Sequence, residues 1–322
     1  GILRTPVSAE QSFDDDPLRM LRAARFASQL GFDVDLEVME AMEQMAQRLE
    51  IVSAERIRAE LERLLLSPYP RRGLELLVHT GICDIVLPEV SALQDTVDEH
   101  RRHKDVYEHT LTVLQQAMDL ETGPDGDVPG PDLRLRLAAL MHDIGKPATR
   151  RFMPDGTVTF HAHDYVGARM TAKRMRALHF DKQTIKDVSR LVELHLRFHG
   201  YADSPWSDSA VRRYVTDAGP LLARLGCLTR ADVTTGNRRK AAMLSHAYDD
   251  LERRIEALRE QEELASIRPE LDGQEIMAEL GIKPGPEVGK AYKFLLDLRM
   301  ERGPIGKELA REALHSWWAT QQ

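Results

Sequence analysis

The sequence predicts an almost all-α protein, and three observations carry that reading. Apolar residues recur at spacings of three and four through most of the chain, the pattern of one-sided helices. Aromatic residues are only 6%, and Val/Ile alternation of the kind that marks strands is scarce. Helix punctuation is frequent: Asp, Ser or Pro before apolar runs and Gly after them. At 322 residues the chain is long enough for two or three domains.

The elements follow in order. A helix is expected in "FDDDPLRMLRAARFASQLGF", with Asp16 as cap, Pro17 at the first helical position and Gly31 as the stop. Helices are expected next in "DLEVMEAMEQMAQRL", in "SAERIRAELERLLLS" between Ser53 and Pro68, and in "RRGLELLVHTGI" up to Gly81. A second block opens at "HRRHKDVYEHTLTVLQQAMDL", and the Gly/Pro/Asp run "ETGPDGDVPGPD" reads as a tolerated surface loop. Beyond it "LRLRLAALMHDIGK" is helical, "RRFMPDGTVTFHAHD" reads as a β-turn or hairpin, and "DYVGARMTAKRMRAL", "DKQTIKDVSRLVELHLRF", "SDSAVRRYVTDAG" and "PLLARLGCLTRADVT" are helices. The last block has a long charged helix, "KAAMLSHAYDDLERRIEALREQEELAS", whose Glu/Arg alternation is that of a solvated face. In "LDGQEIMAELGIKPGPEVGKAYKFLLDLRMERG" a Gly/Pro turn separates two amphipathic helices. Ile2 to Arg4 read as the tail of a strand whose partners are absent, as in a fragment.

Composition excludes little. A net charge of −8 argues against a uniformly basic nucleic-acid coat but leaves local basic faces open. Cys83 and Cys227 lie far apart in apolar surroundings, so both read as packing thiols of a reducing, cytoplasmic protein. No apolar run approaches the roughly 20 residues of a membrane span.

His109, His142, Asp143, His163, His195 and Asp232 form an ordered series of imidazoles and carboxylates on successive helices. Such donors suit a divalent metal, Mn, Fe, Co, Ni, Zn or Mg, and the lack of Cys donors argues against a closed structural zinc site. The chain holds 12 histidines, and for His79, His100, His103, His161, His179, His199, His246 and His315 the ordinary reading as surface or satisfied core residues suffices. It fails for the His-Asp pair in "LAALMHDIGK", which would bury two costly polar groups without a partner.

The motifs "HTLTVL", "LMHDIGKP", "FHAHD", "LVELH" and "RADVT" resemble those of the HD-domain metal-dependent phosphohydrolases. The resemblance implies that His109, His142, Asp143 and Asp232 hold one metal. His163 and His195 would extend the site toward a second metal or a substrate phosphate, with Asp143 between them. His142 and Asp143 would carry phosphoester hydrolysis by an activated water. Lys146 is read equally as a contact for the phosphate or as a cation facing the end of a helix dipole.

In "DDDPLRMLRAARF", Arg19, Arg22 and Arg25 recur every three residues, a cationic stripe beside Leu18, Leu21, Ala24 and Phe26 that is expected to line a cleft. This segment, with "IVSAERI" and its Glu55 and Arg56, resembles the neck of the bacterial CCA-adding tRNA nucleotidyltransferases and poly(A) polymerases. That resemblance runs over nearly the whole chain. It implies that the Asp and Arg of a Glu-Asp-x-x-Arg motif select CTP or ATP, here Asp15-Asp16-x-x-Arg19 with Asp in place of Glu, and that Arg22 joins Asp16 and Arg19 in nucleotide binding. The implied division is a helical neck and body in 1–95, an HD-type helical domain in 96–245 and a helical, tRNA-carrying tail in 246–322. The implied partners are tRNA, with ATP, CTP and Mg in the complete enzyme. The Gly-Ser loop with its metal-binding Asp-x-Asp and the Arg-Arg-Asp motif of the transferase head do not occur here. Two other functions stay open: an RNA-binding module with a vestigial HD site, and a stand-alone HD hydrolase of small nucleotides.

Overall fold

In a computed structural model the chain is described at every residue except 95, 97–105, 202, 203, 205, 236, 263–266 and 322. It falls into two compact units, Gly1–Leu196 with Ala223–Ala241, and Arg197–Leu222 with Ala242–Gln322. Among the described residues there are eighteen helices and two pairs of two-residue strands, so the all-α expectation holds. No described helix is long and apolar enough to cross a membrane.

The first unit opens with β1 (Ile2–Leu3), which pairs in parallel with β2 (Asp33–Val34). The expectation that the partners of Ile2 to Arg4 are absent is thereby corrected: one partner lies thirty-one residues on, a pairing that no local pattern signals. A second correction follows. Helix α1 (Ala9–Asp15), capped by the Ser8 side chain, precedes the expected helix, and Phe13 with two of the three aspartates belongs to it. Helix α2 (Leu18–Leu30) then begins after Pro17, and Asp16 Oδ1 accepts the Leu18 N–H, so Asp16 does serve the helix start. Gly31 ends α2 with φ +66°, a conformation that favours glycine.

Helix α3 (Leu36–Met45) runs into a 3-10 turn over Ala46–Ile51, followed by α4 (Ala54–Leu65), α5 (Pro70–His79), α6 (Ile82–Val86) and α7 (Pro88–Ser91). Helix α2 packs between α4 and α5 because Gly73 admits it: a Cβ there would meet the Ala24 carbonyl at 2.7 Å.

The next helix, α8, is described from Val106 to Asp119; the expected start at His100, and with it His103, lies outside the described residues. Helix α9 (Leu133–Met141), the single turn α10 (Lys146–Thr149), the hairpin β3 (Arg151–Phe152) and β4 (Val158–Thr159), α11 (His163–Ala177) and α12 (Lys182–Leu194) complete this part. The loop expected to be merely tolerated is anchored at both ends. Glu121 and Asp132 hold Arg136 and Arg224, and Arg136 Nη1 also donates to the carbonyls of Leu65 and Ser67 at the end of α4. Those carbonyls have no partner within their own helix, so one buried guanidinium fastens the neck to α9.

Helix α13 (Asp208–Ala218) belongs to the second unit, and α14 (Leu222–Ala231) returns the chain to the first. Helix α15 (Arg238–Glu262) leads into the tail, where α16 (Gly273–Leu280), α17 (Pro286–Arg302) and α18 (Lys307–Ala319) enclose Leu271, Ile276, Ala291, Leu295, Ala310 and Leu314. The end of the expected long helix at Glu263 to Ser266 lies outside the described residues. Neither cysteine is in a disulfide; Cys83 is buried and Cys227 half-buried, and burial pushes the Cys83 thiol up to about 12.

Candidate metal centre

The six imidazoles and carboxylates singled out in the sequence come together, and most of them stand at helix ends. His142 directly follows α9, His195 directly follows α12, His163 opens α11, and Asp232 lies one residue past α14; His109 alone is inside a helix, α8. Gly145 makes the approach possible. A Cβ at that position would sit 2.1 Å from the His163 carbonyl oxygen, so only glycine lets the turn after Asp143 lie on α11.

Three histidines are oriented alike. His142 Nδ1 donates to the Ala139 carbonyl at 2.8 Å, His163 Nδ1 to Phe160 at 2.8 Å and His195 Nδ1 to Val192 at 2.6 Å. Each bond satisfies a carbonyl three residues back and turns the Nε2 of its ring into the cluster. His109 turns its Nε2 inward too, with Nδ1 hydrogen-bonded to Thr234 Oγ1 at 3.0 Å.

Two triads result. His109, His142 and Asp232 form one, Asp143, His163 and His195 the other, and the ligand atoms within each lie within 4.8 Å of one another. Asp143 reaches both. Its Oδ2 is 3.2 Å from His142 Nε2 and 3.5 Å from His109 Nε2, while its Oδ1 is 3.3 Å from His163 Nε2. Asp232 Oδ1 is 3.0 Å from His109 and 3.5 Å from His142. His142 and Asp143 are 0% and 1% exposed, so the cost foreseen for burying the pair is present in full.

Charge inside the cluster is polarised. Burial opposes a charged His142, but the carboxylates of Asp143 and Asp232 overcome it and push its pKa up to about 10. His195 goes the other way, down to about 4, through burial and then through the neighbouring His142. Burial works to raise Asp143 and Asp232 as well, yet His142 with Lys146 holds the first well below the usual carboxylate range, and hydrogen bonds from His109 and His142 hold the second there. Lys146 Nζ is 2.8 Å from Asp143 Oδ2. Lys146 starts the single turn α10.

The cluster fits a divalent cation on its own geometry. His163 Nε2 and His195 Nε2 are buried without a hydrogen-bond partner, and His142 Nε2 faces His109 Nε2 at 3.3 Å. Buried ring nitrogens without a partner, converging with carboxylate oxygens, are a donor set that a divalent cation would satisfy.

The arginines of the stripe enter a network of ion pairs and hydrogen bonds, with Arg19 and Arg22 half-exposed. Arg25 Nε bonds Glu60 Oε2 at 2.5 Å, and Arg22 Nε and Arg63 Nη1 lie 3.5 and 3.6 Å from Glu60 Oε1. Asp16 is held by Arg56 at 3.1 Å and by Arg22 at 3.8 Å, and Arg19 Nη1 donates to the Ser12 carbonyl and hydroxyl. Glu60 is 3% exposed and was not foreseen. The available signal was its place on the apolar stripe of α4, three residues from Ile57 and four from Leu64. Glu55 pairs with His179 Nδ1 at 2.6 Å, and Arg58 donates to the His179 carbonyl, so His179 joins the neck to the loop before α12.

Comparison with known proteins bears on these sites. A model described as the probable RNA and SrmB-binding site of polymerase A matches residues 31–93, and a model of the HD domain matches 106–237. The A-adding tRNA nucleotidyltransferase of Deinococcus radiodurans is 35% identical over 97% of this chain and 70% of its own length. The chain belongs to the tRNA nucleotidyltransferase family. A second tRNA nucleotidyltransferase, the CC-adding protein of Thermus thermophilus, is 36% identical over 98% of this chain and 69% of its own length. The fold is shared with the Bacillus stearothermophilus CCA-adding enzyme in complex with CTP, at a TM-score of 0.61 and 19% identity over 99% of this chain and 66% of that one. Residues 1–322 contain the bare Asp-x-Asp spacing at Asp14/Asp16, Asp33/Asp35 and Asp125/Asp127. Arginines 48, 56, 72 and 4 engage the first two pairs, and the third lies in an exposed loop.

Proposed function

We propose that this chain is the neck, body, HD and tail part of a CCA-adding tRNA nucleotidyltransferase, and that its HD cluster is a metal-dependent phosphohydrolase site. The observation that carries the second statement is the pair of triads linked by Asp143. His109, His142 and Asp232 would hold one divalent cation, with Mg, Mn, Ni, Co or Fe as candidates, and Asp143, His163 and His195 would hold the other. A cation there supplies Lewis acidity toward a phosphoester. The chain's own residues do the rest: the backbone carbonyls of Ala139, Phe160 and Val192 orient three rings, Asp143 joins the two halves, and Lys146 offers a positive charge to a phosphate beside Asp143.

In the neck, Asp16, Arg19 and Arg22 are the residues we assign to nucleotide selection. Arg19 and Arg22 are half-exposed, while Arg56 and Glu60 anchor Asp16 and Arg22 from behind. Nucleotidyl transfer with Mg and ATP or CTP is assigned to residues outside 1–322, and the partner is tRNA in the cytoplasm. The division into 1–95, 96–245 and 246–322 is kept as the functional plan. The test of the HD reading is metal-dependent opening of a 2′,3′-cyclic nucleotide by this chain and by its Asp143→Ala variant. Loss of turnover in the variant is expected; equal rates would refute the assignment. tRNA binding that falls steeply with salt is expected if several phosphates are contacted, and salt-insensitive binding would refute the tRNA assignment.

A further inference from the structure

The hairpin beside the metal cluster supplies no ligand to it. Both of its strands are nonetheless rooted there. β3 follows α10, whose first residue, Lys146, contacts Asp143, and β4 leads into Phe160, whose carbonyl orients His163. Six residues along the chain, Phe152 is at most roughly 20 Å from Lys146, roughly six nucleotides of stacked single strand.

The hairpin and the start of α11 present an unusual surface. Phe152 is 73% exposed, Tyr165 is 56% exposed, and Met153 is exposed between them in sequence. The Arg150 guanidinium lies over the Phe152 ring, 5.4 Å from its centroid. Arg151 is exposed on β3, and Arg169 is exposed one turn after Tyr165 on the same face of α11. The carboxylate of the turn, Asp155, is engaged by the Thr157 N–H and hydroxyl. Exposed aromatic rings interleaved with guanidinium groups favour bases by stacking and phosphates by charge, and both are sequence-tolerant contacts.

We propose that this hairpin and the first turns of α11 form a stacking platform for single-stranded RNA, and that the HD site therefore acts on the 3′ end of an RNA chain rather than on free nucleotides. The proposal rests on the phosphohydrolase reading for its chemistry but not for its binding. A terminal phosphoester set beside Lys146 and Asp143 leaves the preceding bases within reach of Phe152 and Tyr165. A free nucleotide has no preceding bases, so it forgoes those contacts.

The test uses the whole chain with Mn²⁺ and two probes, a hexaribonucleotide and a mononucleotide, each ending in a 2′,3′-cyclic phosphate. Phe152→Ala with Tyr165→Ala is expected to lower the hexamer-to-mononucleotide ratio of kcat/KM by about tenfold or more, through KM. An unchanged ratio would overturn the platform. A separate measurement decides it if neither probe is opened, an outcome that would refute only the phosphohydrolase reading. A hexamer with 4-thiouridine three positions from its 3′ end is irradiated on the chain, and cross-links are mapped. Cross-links within residues 150–169, lost in the double variant, support the platform; cross-links confined elsewhere overturn it.

Discussion

Two groups of buried charge lie in the same unit, and they are built on opposite plans. In the neck two carboxylates gather donors: Glu60 faces Arg22, Arg25 and Arg63, and Asp16 faces Arg22 and Arg56. In the HD cluster two buried ring nitrogens are left without a donor. His163 Nε2 and His195 Nε2 point at a carboxylate and at other imidazoles with their protons committed to the backbone on the far side. A network that closes on itself positions helices. One that leaves buried ring nitrogens without a partner asks for a cation. Burial alone does not distinguish them; the direction of the hydrogens does.

The largest expected effect breaks the closed network. Glu60→Ala leaves Arg25 buried against α4 without its partner and should cost about 3–5 kcal/mol, read as a fall in the urea midpoint. A loss below about 1 kcal/mol would mean that the network does not lock α2 to α4. The open cluster is tested by ligand linkage. Mn²⁺ at a hundred times its dissociation constant should stabilise the wild-type chain by about 2.7 kcal/mol, seen as a rise in Tm, and should do nothing for Asp143→Ala. Equal Tm shifts in both proteins would place the ion elsewhere. A third change separates stability from ligation. Asp181 caps α12 by accepting the Thr184 N–H at 2.9 Å, so Asp181→Ala should lose about 1 kcal/mol while Mn²⁺ affinity, measured by titration calorimetry, stays the same. The smallest effect is the control: Arg72→Ala removes an exposed pair with Asp33 and should shift stability by about 0.5 kcal/mol or less. A larger loss would show that counting pairs, rather than asking which are buried, is the better guide.

Much of this was legible in the residues, for reasons that differ by region. The helices were readable because caps, periodicity and stops act locally: Gly31, Asp16 and the run from Leu133 to Met141 needed no distant partner. The six residues of the cluster were readable because an adjacent His-Asp in an apolar helix end is too costly to be idle. The β1–β2 pair and α1 were not, since a two-residue strand carries no period and Phe13 fits either neighbouring helix. Glu60 escaped because a charged residue in a charged helix draws no notice until its partners, thirty-five and thirty-eight positions back on α2, are in view. The backbone carbonyls that orient the rings have no sequence signature at all.

Those carbonyls have a consequence for motion. His142 and His195 take their orientation from the last turns of α9 and α12, and His163 from the residue that closes the hairpin. Helix ends are where amide exchange first shows opening, well before a domain unfolds. Each brief fraying of those turns turns an imidazole away from its neighbours. The precision of the cluster is therefore set by the local opening equilibrium of two helix termini, and substitutions far from any ligand that slow or hasten that opening would tune metal retention without touching the ligands themselves.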